Sequence, residues 1–95
     1  MKKTQYYIVR ADRAGVFFGK IKSKSKDAVV MEDVRKIFYW NGACAVEQIS
    51  QTGVSQNDSK LTITIPEMEI ANPIQIIPCT EKATDNLKKS PEWKR

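Results

Sequence analysis

The stretch VRKIFYW, residues 34–40, constrains this chain more than any other. In an extended strand, side chains alternate between two faces. Val34, Lys36, Phe38 and Trp40 then share one face, and Arg35, Ile37 and Tyr39 share the other. Neither face is wholly polar. Such a strand is either covered on both sides or turns its more polar face to a partner. Three consecutive aromatics then run into Asn41-Gly42 and a short helical pattern. The same stretch is therefore either the core of a tiny domain or the rim of a pocket.

The chain has 95 residues, enough for one domain spanning 1–95. A domain of this size buries only about 60–65% of the surface its unfolded chain exposes, so its core is thin. Oligomerisation is the common remedy, and a homo-oligomer is expected.

Most of the remaining apolar residues also fall in short runs of strand composition. YYIVRAD (6–12) alternates, with Tyr6, Ile8 and Arg10 on one face and Tyr7 and Val9 on the other. Gly15 permits a turn or bulge before a strand at Val16–Lys22. KSKSKD (22–27) reads as a hairpin tip, AVVMED as the return strand, and VRKIFYW as a third strand close behind it. LTITI (61–65) alternates cleanly, with Leu61, Ile63 and Ile65 inward and Pro66 ending it or marking an edge. EMEIANP then leads to a short buried strand, IQIIP (74–78).

Two helices are expected. Asn41 caps one, Ala43, Val46 and Ile49 form its stripe, and Gly53 stops it, which places it at about 42–51. Thr80 caps a short second helix in EKATDNLKK, with Ala83 and Leu87 on its apolar face and Ser90-Pro91 breaking it. Trp93 is expected to fold back over something. The fold class is α+β and mainly β: a bent antiparallel sheet or small partly open barrel, with one helix near 42–51 and a short C-terminal helix.

Net charge is +5 and unevenly placed: +6 over residues 1–40, −4 over 41–81 and +3 over 82–95. This is either a basic face for phosphates or a solvated surface with basic ends. Lys20, Lys22, Lys24 and Lys26 fall at every second position. They line one side of an extended chain, either guarding a sheet edge or contacting phosphates.

The chain has no histidine. That removes the usual general base, metal ligand and near-neutral pH switch. Cys44 and Cys79 make no zinc-ligand spacing and are expected to be two reduced, buried thiols. Nothing resembles a phosphate loop, a signal peptide or a membrane span. A cytoplasmic, non-enzymatic protein without cofactor or metal is expected.

The candidate ligand-binding residues are Arg10, Arg13, Arg35, Tyr39, Trp40, Asn41 and Glu47. Arg10 and Arg13 flank a glycine turn and suit a phosphate or carboxylate. Arg35 beside Tyr39 and Trp40 has the composition of a nucleotide pocket, with rings to stack a base and a guanidinium to hold phosphate. Strand alternation puts Trp40 opposite Arg35 and Tyr39, so all three line one pocket only if the strand twists or ends there. Asn41 or Glu47 would read a polar edge. The alternatives are a surface ion pair for Arg10 and ordinary core for the aromatics.

IVRADRAGVFFGKI, VRKIFYWNGACAVEQIS and IQIIPCTEKA, with the Trp near the end, resemble a small-protein family of phage and prophage genomes, a domain of unknown function. The resemblance spans nearly the whole chain. Members usually carry Trp where this chain has Phe38, and Ala-Ser-Leu where it has Cys44-Ala45-Val46, which counts against a special role for Cys44. The resemblance implies a viral or prophage gene in a bacterial host and carries no activity. Small non-virion proteins in that setting block a host protein, bind nucleic acid or sequester a nucleotide defence signal. Three readings follow. The first is capture of a phosphate-bearing small molecule, such as a cyclic nucleotide, in an oligomeric pocket. The second is a nucleic-acid-binding module, and the third a protein-interaction or virion component.

Overall fold

The computed structural model describes residues 4–93. In chain order they form β1 (Tyr7–Ala11), β2 (Gly15–Lys24), β3 (Ala28–Tyr39), α1 (Val46–Thr52), a 3-10 turn at Gln56–Asp58, β4 (Lys60–Leu61), β5 (Ile65–Ala71), β6 (Pro73–Pro78) and α2 (Glu81–Lys89). The strands make one open sheet in the order β4-β3-β2-β1-β6, and β5 pairs with the first half of β3. Every pair of these strands is antiparallel. The architecture is mainly β with two short helices, as the sequence pattern indicates.

The two strands expected at AVVMED and VRKIFYW are one twelve-residue strand, β3. It changes character at Asp33. Phe18 pairs with Arg35, but Lys20 pairs with Glu32, so Asp33 is an extra residue in β3. It takes the left-handed conformation, φ 49°, which Asp tolerates better than most residues. Opposite it lies Gly19, where a Cβ would stand 2.9 Å from the Val34 Cα. Only glycine lets the two backbones approach so closely. A second register shift falls between Ile21 and Ser23, making Lys22 the extra residue of β2.

An inserted residue inverts strand parity. Val29 and Met31, and beyond the bulge Val34, therefore bury their side chains in the same core. Arg35 and Ile37 face the other way, toward the helices. VRKIFYW is covered on both sides as far as Ile37, while Phe38 and Tyr39 at its end are exposed. One core joins Ile8, Phe18, Ile37, Ile49, Leu61 and Leu87 beneath α1 and α2. The other joins Val9, Ala11 and Phe17 to Val29, Met31, Val34 and Ile70, strand against strand in the bend of the sheet. Tyr6 stacks on Phe18 at 5.0 Å in the first core.

LTITI is not one strand. Leu61 is fully buried in β4, residues 62–64 leave the ladder, and Ile63 is 47% exposed. The bend at Asp33 is one reason, because a straight strand cannot follow both halves of β3. Arg35 fills the gap: its Nε donates to the Thr62 carbonyl at 2.8 Å, and the Lys36 N–H donates to Thr62 Oγ1 at 2.9 Å. EMEIA, expected as a connection, is most of β5, with Pro66 near its start on an open edge. The other sheet edge is β6, bounded by Pro73 and Pro78 and carrying Ile74 outward, 60% exposed. IQIIP is thus a half-covered edge strand and not a buried one.

Helix α1 starts at Val46 and not at Gly42, and its cap position is Ala45 with no side-chain bond. Asn41 Oδ1 accepts from the Gly42 N–H at 3.0 Å, and Gly42 has φ 84°, which no helix continues through. Gly53 stops the helix as expected: its φ is 81° and its N–H donates to the Ile49 carbonyl at 2.9 Å. In α2, Thr80 Oγ1 accepts from the Ala83 N–H, and Ala83 and Leu87 are buried.

A Cβ at Gly53 would overlap the Asn86 side chain, whose amide grips both the N–H and the carbonyl of Val54. Gly53→Ala is therefore expected to lose about 2–3 kcal/mol of stability in urea unfolding. Asn41→Ala, which removes no helix cap, is expected to stay within about 0.5 kcal/mol.

Candidate functional site: rings and a lysine at the end of β3

The seven residues singled out from the sequence do not form one pocket. Arg35 is interior, 3% exposed. Its guanidinium donates to three backbone carbonyls: Thr62 at 2.8 Å, Leu87 at 2.7 Å and Pro91 at 3.3 Å. Burial lowers its pKa from the ordinary value, and the nearby Glu92 charge opposes that shift. Held this way, it ties β3 to the end of α2 and has no open face for a phosphate.

Arg10 and Glu47 do come near each other. Gln75 pairs with Arg10 across β1 and β6, and its amide donates to Glu47 Oε2 at 2.9 Å. That hydrogen bond first, then one from Glu47's own backbone, with the Arg10 charge adding less, holds the Glu47 carboxyl below the usual range. Glu47 is thus an exposed carboxylate and not a proton donor near neutral pH. Arg13 sits apart in the β1–β2 turn, exposed, with φ 64°.

Tyr39 and Trp40 part company at the end of β3. Trp40 packs against the helix-side core, while Tyr39 is 49% exposed. Asn41 is held in the following loop, its N–H donating to Ser59 Oγ at 3.0 Å and its carbonyl accepting from the Ser55 N–H at 2.8 Å. Ile37 pairs with Leu61 but Tyr39 with Lys60, so Phe38 is a further extra residue and remains 41% exposed.

Two residues complete a surface that local pattern did not reveal. The Trp93 ring meets Phe38 edge-on, with centroids 5.1 Å apart and planes at 68°. Lys60 holds its ammonium 5.1 Å from the Trp93 ring centre and 5.8 Å from that of Tyr39. Trp93 is brought there by its N–H, which donates to the Leu61 carbonyl at 2.9 Å, and by a bridge between Glu92 and Leu61. The result is a half-exposed aromatic surface with one ammonium between two rings. Chemically it offers faces for a planar ring and a cation for an anion.

Residues 4–87 match the family described as a domain of unknown function, DUF6948. The chain belongs to that family. Phe38, Tyr39 and Lys60 lie inside the DUF6948 match, and Trp93 follows it. No curated protein and no solved structure matches the chain.

Elsewhere the surface is less promising. Lys20 pairs with Asp33 at 2.8 Å and Lys22 with Glu67 at 2.9 Å, each pairing raising the lysine pKa. The extra residue at Lys22 interrupts the even spacing of the lysine row, which leaves Lys24 and Lys26 exposed at the hairpin end. Among the described residues, no three carboxylate or thiol side chains gather as a metal site, and no helix is long and apolar enough to cross a membrane. Neither cysteine is bonded to the other: Cys79 is buried, but Cys44 is exposed, contrary to the expectation of two buried thiols.

Two tests follow. Arg35→Met leaves three carbonyls without their donor and is expected to cost about 2–4 kcal/mol in denaturant unfolding. Desolvation pushes the Cys79 thiol up to about 12, so at pH 8 its thiolate fraction is only ~10⁻⁴. Ellman's reagent should titrate Cys44 promptly in the native protein and reach Cys79 only on unfolding.

Proposed function

We propose that this protein is a non-catalytic binding protein that captures a nucleotide-like small molecule on the surface formed by Phe38, Tyr39 and Lys60. The observation that supports this reading is the Lys60 ammonium beside exposed rings at the end of β3. A base would stack on Tyr39 and Phe38, as bases stack on aromatic side chains elsewhere. Lys60 would exchange its ring contacts for a phosphate. Asn41, two residues beyond Tyr39, would offer amide groups to a polar edge of the base.

The phage or prophage setting implied by the family resemblance fits this role. A protein that sequesters a cyclic nucleotide defence signal in a bacterial cytoplasm needs affinity and copy number, not turnover. An oligomer would enlarge the shallow site by adding a neighbouring subunit's surface, with Arg10 and Arg13 as exposed cations available for that purpose.

The test is native mass spectrometry with mononucleotides, cyclic di- and trinucleotides and short oligonucleotides. The expected outcome is one nucleotide class held at fixed stoichiometry, and the same spectra give the subunit count. Tyr39→Ala and Lys60→Ala should each weaken that binding roughly 5- to 100-fold, the range of one stacking or phosphate contact, with the unfolding midpoint little changed. A protein that leaves the whole pool unbound would refute the reading. Binding confined to oligonucleotides and falling steeply with salt would favour a nucleic-acid module instead.

A further inference from the structure

We propose that the segment Pro91–Trp93 is a displaceable strap, which occupies the aromatic surface in the free protein and gives way to the ligand. The inference rests on the nucleotide-binding reading and adds regulation to it.

The strap is attached differently from the rest of the sheet. Every pairing among the six strands is antiparallel, whereas the Leu61–Glu92 bridge is parallel. Parallel pairing is slightly weaker per residue, and here it rests on a two-residue strand. The Trp93 N–H to Leu61 carbonyl bond puts the segment where an added strand would pair with β4. Trp93 is 42% exposed, makes a T-shaped contact with Phe38 and lies under the Lys60 ammonium. The indole thus covers Phe38 and engages Lys60, the two side chains assigned above to a base and to a phosphate. Trp93 therefore stands in the ligand's place.

Helix α2 does not depend on the strap. Ala83 and Leu87 are buried in the helix-side core, and Asn86 holds Val54 through two hydrogen bonds. Arg35 grips Leu87 at 2.7 Å but Pro91 only at 3.3 Å. The chain can thus lift from Pro91 onward while α2 stays docked. Lifting uncovers Phe38 and frees Lys60 from one of its two rings.

Two measurements test this. The first is amide exchange of the full chain without ligand. The Trp93 amide should exchange at least ~100-fold faster than those of Val9 and Ile37, by local opening. If it exchanges only as slowly as they do, the segment is an integral part of the sheet and the strap is refuted.

The second uses etheno-AMP as a fluorescent probe, with the full chain, Trp93→Ala and a chain shortened to end at Pro91. Removing the competitor should tighten binding by roughly 3- to 30-fold, the reciprocal of the fraction of time the strap is open. Equal or weaker binding in both variants would make Trp93 a wall of the site, overturning the competition while leaving the nucleotide reading in place. No binding of etheno-AMP by any of the three would overturn the competition as stated, and the nucleotide reading would then stand or fall on the full pool.

Discussion

The bulge at Asp33 is the feature on which the rest of the structure depends. A continuous strand keeps one face inward along its whole length. With one residue inserted opposite Gly19, β3 presents Met31 and Val34 to one core and Ile37 to the other. The thin interior expected of so short a chain is thereby divided in two. Two helices close one part, and the sheet's own curl closes the other. The bend also sends β5 and β4 to separate halves of the same strand edge, which is why a third element fits between them.

That third element is the Arg35 guanidinium. The break between β4 and β5 leaves the Thr62 carbonyl without a strand partner, and the end of α2 leaves the Leu87 carbonyl similarly exposed. One planar cation answers both, and it adds the favourable charge at a helix C-terminus. Lysine would not replace it, since a point ammonium cannot direct several N–H groups along fixed lines in one plane. The buried cation thus joins β3, the strand break and the end of α2 through one side chain.

Local pattern was legible where parity was undisturbed. Along Tyr6–Arg10 the alternation puts Tyr6, Ile8 and Arg10 on one face and Tyr7 and Val9 on the other, and Tyr6 and Ile8 indeed pack in one core and Tyr7 and Val9 in the other. Thr80, Ala83 and Leu87 outlined α2 because a cap and a four-residue spacing are both local signals. Parity failed at Asp33, Lys22 and Phe38, since a single extra residue leaves no mark in composition. Arg35 was misplaced for a related reason. Its partners are carbonyls far along the chain, and no sequence pattern encodes an acceptor that every residue carries. Within the candidate site Tyr39 could be named, but Lys60 and Trp93 reach it only through the β3–β4 pairing and the return of the chain beyond α2.

The pairing of β1 with β6 sets an order of events for the newborn chain. Gln5 and Cys79, 74 residues apart, are joined by a hydrogen bond, and the Tyr6 carbonyl accepts from the Cys79 N–H. The β1-β2-β3 meander can form as soon as it leaves the ribosome, because its turns are short. Its first strand, however, lacks its second neighbour until Cys79 emerges, and Arg35 lacks its Leu87 acceptor until the end of α2 does. During that interval one edge of the meander lies bare and an interior cation is short of an acceptor, so synthesis passes through a stage in which association with other nascent chains competes with self-closure.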